Sequence, residues 1–390
     1  VTTVVVGGGI FGQVVAWRLA LRGERVRLVE PVAPGHAGSQ SGDRSRIVRA
    51  LYGERRFAEA GHASLALWDE WSEELGVPLV DRLGVLYLER DADTEGDRAF
   101  AQFVTAGMSH LAALGAEAIE LTPAEVVARH PAIDPRGVVR GVFEPAAGLG
   151  RASLATRTIA RAALATRNVE PIRGEATRVL VRSGQASGVE IRTAQNTLLV
   201  EGDRVVLAAG LAGARLVEAL TGRELGVRPI PHFAAYWDVP LPGATRLLRD
   251  RLPVWAELGA GLYGFPDDGE AGFKVAWHEP LRSSDARAEP TSDEVEALRR
   301  VAAVRFPALE EATLRTTYRC TYDATTDERF LVGPVPDIDG LTLVAGLSGH
   351  GYKHAPAIGE ALALTLLGRA SQAPINLAPH AFSGHARPPA

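Results

Sequence analysis

The stretch "VVVGGGIFGQVVAWRLALRGERVRLVE" (residues 4–30) narrows the fold more than any other part of this 390-residue chain. It reads as strand, tight turn, helix and strand. Val4–Val6 form a continuous β-branched run, as a strand buried on both faces requires. Gly7, Gly9 and Gly12 fit G-x-G-x-x-G, with Ile10 and Phe11 inside the motif. The first glycine permits the turn, the second admits a pyrophosphate to the backbone, and the third lets helix pack on strand. A helical pattern runs from Val14 to Leu21, and Gly23 stops it. Val26, Leu28 and Val29 make the second strand. Glu30 ends it, where a carboxylate accepts hydrogen bonds from an adenosine ribose and repels a 2′-phosphate. The unit predicts dinucleotide binding and disfavours NADP. Alone it does not choose between NAD and FAD.

The rest of the chain points to FAD. Residues 54–75 are spaced as a helix, 82–90 as a strand, and 94–130 as two surface helices, the second opening on Thr122 and Pro123. Residues 169–213 are short strands ending in the buried run Val205–Ala209 and Gly210. Strands dominate 227–278, and a helix follows at about 292–305. "LTLVAGLSGHGYKHAPAIGEALALTLLG" (341–368) then gives strand, glycine-rich loop and closing helix. A simple NAD dehydrogenase needs no such return near its C-terminus. FAD is longer, and its ring must be held by segments distant from the adenosine site. Gly210, Gly349, His350 and Gly351 are therefore candidate cofactor contacts beside Gly7, Gly9, Ile10, Phe11, Gly12 and Glu30.

A chain of this length suggests two domains. The expectation is an α/β (α+β) fold with a Rossmann-like FAD-binding domain and an inserted, strand-rich substrate domain. The FAD-binding domain is assigned to 1–80, 145–215 and 316–390, the substrate domain to 81–144 and 216–315. A net charge of −5 gives no reason to expect nucleic acid or an anionic membrane surface as partner. No apolar run approaches the length of a membrane span, and "TTVVVGGG" has no signal-peptide character. One cysteine cannot form an internal disulfide. A cytoplasmic enzyme with no metal site is expected.

Two scarcities mark the chemistry. Cys320, in "YRCTYDATTDERF", is the single cysteine, and Lys274 and Lys353 are the only lysines among 42 basic residues. Arginine could replace a surface lysine with little loss, so each lysine suggests a site that wants a compact ammonium.

The chain resembles the monomeric sarcosine oxidase and N-methyltryptophan oxidase group of the D-amino-acid-oxidase superfamily. The resemblance spans almost its whole length. It rests on "GGGIFG", "GSQSGDRSRIVRALYG", "VFEPAAG", "LYGFP", "FKVAWH", "RCTYDATTDERFLVGP" and "GLSGHGYKHAPAIGE", all in order. It implies an oxidase with covalently bound FAD. Such an enzyme moves a hydride from the carbon beside a secondary or cyclic amine of an amino acid to flavin N5. Oxygen then gives the imine and hydrogen peroxide. The family's usual state implies a monomer.

Residue by residue, the resemblance places Cys320 at the thioether to the flavin, with Arg319 as a neighbouring charge that favours the thiolate. It places Lys274 beside the flavin to activate oxygen and Arg46 near the flavin face. Arg49 and Lys353 match the two cations that hold the substrate carboxylate. His278, Tyr263 and Tyr322 match pocket residues, His350 lies in the loop near the flavin, and Ser41, Cys320 and Lys353 join the expected cofactor contacts. Three departures stand out. "GDRSRIVR" has one residue more between Asp and arginines than the family's spacing. Ser41 replaces a histidine that commonly precedes "GD", and "GLAGARL" lacks the family's tryptophan. A cyclic amino acid, as in the related piperideine-carboxylate oxidases, is the alternative substrate. A flavin dehydrogenase feeding a carrier, and a catalytically idle flavin-binding protein, are the alternative functions.

Overall fold

Val4 and Val5 are wholly buried, as a strand with neighbours on both sides demands. In this computed structural model, which describes residues 1–91, 93–278, 280–281 and 289–380, their strand lies inside a six-stranded sheet. The order is Leu331–Pro334, Leu341–Ala345, Arg204–Leu207, Thr2–Val6, Arg25–Glu30, Val169–Arg173. All neighbours run parallel except the first pair. The expected α/β fold with a Rossmann-like sheet is what the chain adopts. The last ten residues of the segment assigned as 316–390 lie outside the described residues.

The helix Ile10–Leu21 begins earlier than its apolar pattern suggests, because Gly9 is its N-cap. It packs against the helices Ala152–Ala165 and Ala355–Leu366. Two glycines make the contacts close. A Cβ on Gly12 would stand 1.8 Å from the Gly7 carbonyl oxygen, and one on Gly359 would stand 2.5 Å from Val14. Arg18 Nε and Arg22 Nη2 reach the buried Glu360 carboxylate at 2.7 and 2.5 Å, tying the first helix to the last.

Thr2–Val6 pairs with Arg25–Glu30 on one side and Arg204–Leu207 on the other. This reversal of strand order opens a crevice beyond the strands' carboxyl ends, the usual ligand position in such sheets. Gly7, Glu30 and Ala208 stand around it.

An eight-stranded sheet holds most of the remaining strands, in the order Thr313–Ala324, Arg228–Asp238, Phe273–Trp277, Leu262–Phe265, Val254–Glu257, Val85–Arg90, Val138–Glu144, Ile119–Leu121. Its register sets Cys320 opposite His232, and Lys274 opposite both Tyr236 and Phe265. Thr313–Ala324 is its edge strand and leads into Leu331–Pro334 of the first sheet. A separate antiparallel meander spans Glu175–Arg182, Gln185–Arg192 and Thr197–Glu201. The predicted surface helices are Glu95–Ala113 and Pro123–Arg129, and Thr122 with Glu125 forms a capping box on the second. Among the described residues no helix is long and apolar enough to cross a membrane.

Candidate functional site

Two adjoining cavities occupy the crevice. The first, of about 490 Å³, is built on the ends of the parallel strands. Gly7, Gly9, Ile10 and Phe11 line it from the first turn and helix, and Glu30 from the second strand. Gly210 lines it after the third strand, at φ +54° and ψ −128°, a left-handed conformation that favours glycine. Gly349 and Gly351 enter from the C-terminal loop. Gly12 lines neither cavity and acts through helix packing, as its place in the motif predicts. Ser41 Oγ accepts the Ile10 N–H at 3.1 Å, so the residue in the family's histidine position braces the dinucleotide helix. Glu30 accepts the N–H groups of Gly8 and, at 3.1 Å, Val32.

The residues present fit FAD. The cavity lies at a helix N-terminus suited to a pyrophosphate. It is also lined by two residues with buried hydroxyls that have no hydrogen-bond partner among the described residues, Ser39 Oγ and Tyr352 OH. Asp323 lines the same cavity and accepts the Gly346 N–H at 3.0 Å. Burial raises its carboxyl to about 6, against the backbone N–H bonds that would lower it.

Arg46, Tyr263, Tyr322 and Gly349 line both this cavity and a second one of about 600 Å³. Cys320 lines the first beside them. Alternation along a strand puts Tyr318, Cys320 and Tyr322 on one face and Arg319 on the other. Arg319 accordingly reaches Glu289 at 3.5 Å, and the cations acting on the thiol are Arg46 first and then Lys274. That corrects the expectation of Arg319 as the activating neighbour. Burial raises the Cys320 thiol, and Arg46 and Lys274 oppose the rise. Sγ lies 3.5 Å from Gln40 Oε1.

The second cavity gathers Lys274, His278, Arg49, His350 and Lys353. His350 and Lys353 line this cavity rather than the first. Lys274 is no outward-facing surface residue. It is 3 % exposed, and its ammonium donates to Asp43 and to Ser45 O and Oγ at 3.2 and 3.1 Å. Asp43 also accepts Arg46 Nη1 at 2.9 Å and the Tyr236 hydroxyl at 2.6 Å. Burial works to raise the Asp43 carboxyl, but Lys274 and Arg46 outweigh it and bring the group down to about 2. Burial pulls Lys274 below its usual value, opposed by Asp43. Asp43, Ser45 and Tyr236 are site residues that sequence reasoning missed.

Arg49 stacks 4.1 Å over the Tyr52 ring, and its Nη1 donates to Leu51 O at 2.5 Å. Lys353 Nζ donates to His350 O at 3.0 Å. Neither lies within ion-pair distance of a carboxylate among the described residues. Buried Glu144 steadies the chain beside Arg49, accepting the Ala50 and Leu51 N–H groups at 2.6 and 3.2 Å and the Tyr87 hydroxyl at 2.8 Å. His350 Nδ1 meets Tyr52 OH at 3.3 Å, and Tyr263 meets Tyr322 hydroxyl to hydroxyl at 3.3 Å. His278 stacks 6.0 Å from His232.

A Rossmann-like dinucleotide cavity opening onto a cation-lined second cavity defines a flavin-dependent oxidoreductase. The chain belongs to the FAD dependent oxidoreductase family, whose model matches residues 2–364. It is 29 % identical to an N-methyl-L-tryptophan oxidase of Salmonella arizonae, over 92 % of each chain. It is 27 % identical to the monomeric sarcosine oxidase of Bacillus sp., over 94 % of this chain and 92 % of that one. The crystal structure of L-proline dehydrogenase from P. horikoshii shares the fold, with TM-score 0.83 at 22 % identity, covering 96 % of this chain and 95 % of that one. The chain is thus an FAD-dependent enzyme of the amino-acid and amine oxidase group.

Proposed function

We propose that the protein oxidises the carbon beside a secondary or ring amine of an amino acid, consuming O₂ and yielding an imine and hydrogen peroxide. One observation carries this reading: two buried cations that touch no carboxylate among the described residues, Arg49 and Lys353, line the same cavity as Lys274. Buried charge left uncompensated is costly, so a carboxylate ligand is the natural complement. FAD, when bound, supplies the two-electron acceptor. Arg49 and Lys353 hold the substrate carboxylate, which orients the amine-bearing carbon. Tyr263, Tyr322 and His278 shape the amine's side of the cavity. Lys274 provides positive charge where oxygen gains electrons. Sarcosine, other N-methyl amino acids and L-pipecolate are the substrates to try first. Peroxide released in step with substrate consumed supports the oxidase; substrate oxidation that needs an added dye or quinone, without peroxide, supports a dehydrogenase instead.

The six-stranded sheet and its helices are proposed as the FAD-binding domain and the eight-stranded sheet as the substrate domain, with Thr313–Ala324 passing between them. A cytoplasmic monomer is the proposed state, checked by elution at the mass of one chain.

Cys320 is proposed as the point of covalent attachment, its thiolate favoured by Arg46. Acid-precipitated protein is then expected to keep its yellow colour in the pellet, and Cys320→Ser to release it into the supernatant. Quantitative release from the unaltered protein rules the thioether out.

A further inference from the structure

A third cavity, of about 490 Å³, also reaches Lys274. Ser45, Phe265 and Lys274 line both it and the second cavity, and it shares no lining residue with the first. Its inner end is buried: Ser45, Tyr236, Phe265 and Lys274 are each 5 % exposed or less. Its outer end carries the exposed residues Arg44, Arg157, Arg249 and Glu270. Neither Arg49 nor Lys353 lines it. The cavity is a passage from the surface to the buried Lys274–Asp43 pair that bypasses the two cations of the second cavity.

Its walls suit water. Arg44 pairs with Asp268 at 2.8 Å and with Glu270 at 2.7 Å. Asp81 takes Arg151 at 2.7 Å and Arg249 at 3.2 Å. Ordered water needs room and several polar partners, and the passage offers both. The segment "GDRSRIVR", one residue longer than the family's spacing, supplies its two ends, Arg44 outside and Ser45 inside.

Ser45 Oγ accepts the Lys274 ammonium at 3.1 Å, so a hydroxyl at the inner end touches the cation directly. A hydroxyl both donates and accepts, and so passes a proton from water to nitrogen. Asp43 does not fill that part. Its carboxyl lies down at about 2, and it only accepts, from Lys274, Arg46 and Tyr236. Reduction of O₂ to hydrogen peroxide takes two electrons and two protons. Both electrons and one proton come with an anionic reduced flavin, and the second proton comes from solvent.

Building on the oxidase reading above, we propose that this cavity is the proton port of the oxygen reaction. The Lys274 ammonium gives a proton to the oxygen being reduced, its N–H bond breaking as an O–H bond forms. Water in the passage restores that proton through the Ser45 hydroxyl. Proton supply is thereby independent of what fills the second cavity.

The chain has only two lysines, so protein labelled with [¹⁵Nζ]lysine gives two side-chain signals, assigned by Lys274→Met. Exchange of the Lys274 hydrogens with water, followed on the oxidised holoenzyme at mildly acidic pH, reads the port without substrate or oxygen chemistry. Leu154→Trp, which fills the passage without touching the Lys274 cluster, should slow that exchange about tenfold or more and leave Lys353 unchanged. Ala271→Trp repeats the test from another segment should the first change disturb folding. Ser45→Ala should slow the exchange likewise, and Ser45→Thr should restore it. In the slowed variants, chemically reduced flavin mixed with oxygen should recover its oxidised spectrum about tenfold or more slowly, with a larger solvent deuterium effect than in the unaltered enzyme. Bleaching by substrate should not change in Leu154→Trp. Lys274 exchange as fast in both tryptophan variants as in the unaltered protein overturns the port. Slowed exchange with unchanged recovery overturns its part in the oxygen reaction. If reduced flavin in the unaltered holoenzyme does not recover in oxygen, the oxidase reading has failed and the port's role falls with it, whatever the exchange shows.

Discussion

Lys274→Met is expected to slow the oxygen-dependent recovery of the oxidised flavin spectrum by about two to three orders of magnitude. Bleaching of that spectrum by substrate should change far less. Lys274, Arg46 and Asp43 form one buried cluster carrying a single net positive charge, and the substitution leaves a neutral Arg46–Asp43 pair. A unit charge a few ångströms from developing negative charge is worth about 4 kcal/mol at an effective dielectric near 20, or roughly a thousandfold in rate. Asp43→Asn separates charge from shape. Burial drives the Lys274 ammonium down and Asp43 opposes it, so without the carboxylate the amine loses its proton at lower pH. The recovery rate should therefore fall, as pH rises, earlier in Asp43→Asn than in the unaltered enzyme. Rapid-mixing measurements across pH check both variants. Equal recovery in Lys274→Met and the unaltered enzyme makes the lysine a bystander.

The dinucleotide unit was legible because its signals are local: a β-branched run, three glycines and a terminal acid within one strand–helix–strand segment. The two scarce lysines and the cysteine were legible for another reason, since rarity in a lysine-poor chain carries information without any pairing knowledge. What surrounds them was not. Asp43 meets Lys274 across 231 positions, and Tyr236 joins them only because Arg228–Asp238 pairs with Phe273–Trp277 in one register. Glu144 reaches Ala50 across 94 positions in the same way. No short-range pattern encodes such partners. Arg319 shows the converse failure, because adjacency in sequence suggested a neighbour that strand alternation turns to the opposite face. A period-2 reading of "YRCTYD" already separates Cys320 from Arg319. Ser41 shows that replacing a motif residue can exchange roles as well as lose one, since its hydroxyl holds the first N–H of the dinucleotide helix.

Arg49→Ala and Lys353→Ala are each expected to raise the apparent KM for an amino-acid substrate by roughly 10- to 100-fold, the usual worth of a hydrogen bond to a charged group. They should also largely erase the preference for the acid over its decarboxylated amine. The two cations are not equivalent. Burial works against the Arg49 guanidinium, but Tyr52, Tyr87 and Glu144 outweigh it and hold the group above its usual value, so its charge is permanent. Burial, reinforced by the charges of Arg49 and Arg46, pulls the Lys353 ammonium well below its usual range. An arriving carboxylate favours the charged form, so binding raises the pKa of Lys353 and draws in a proton wherever the free amine is neutral. Affinity for the acid should accordingly fall as pH rises through the lowered pKa of Lys353 in the free enzyme. Lys353→Met, with no proton to take up, should lose that dependence, whereas Arg49→Ala should bind weakly yet keep it. Calorimetry in buffers of different ionisation enthalpy measures the proton uptake directly. If the decarboxylated amine bleaches the flavin as readily as the acid does in the unaltered enzyme, the paired cations do not read a carboxylate. A pH dependence that survives in Lys353→Met assigns the titration to another group.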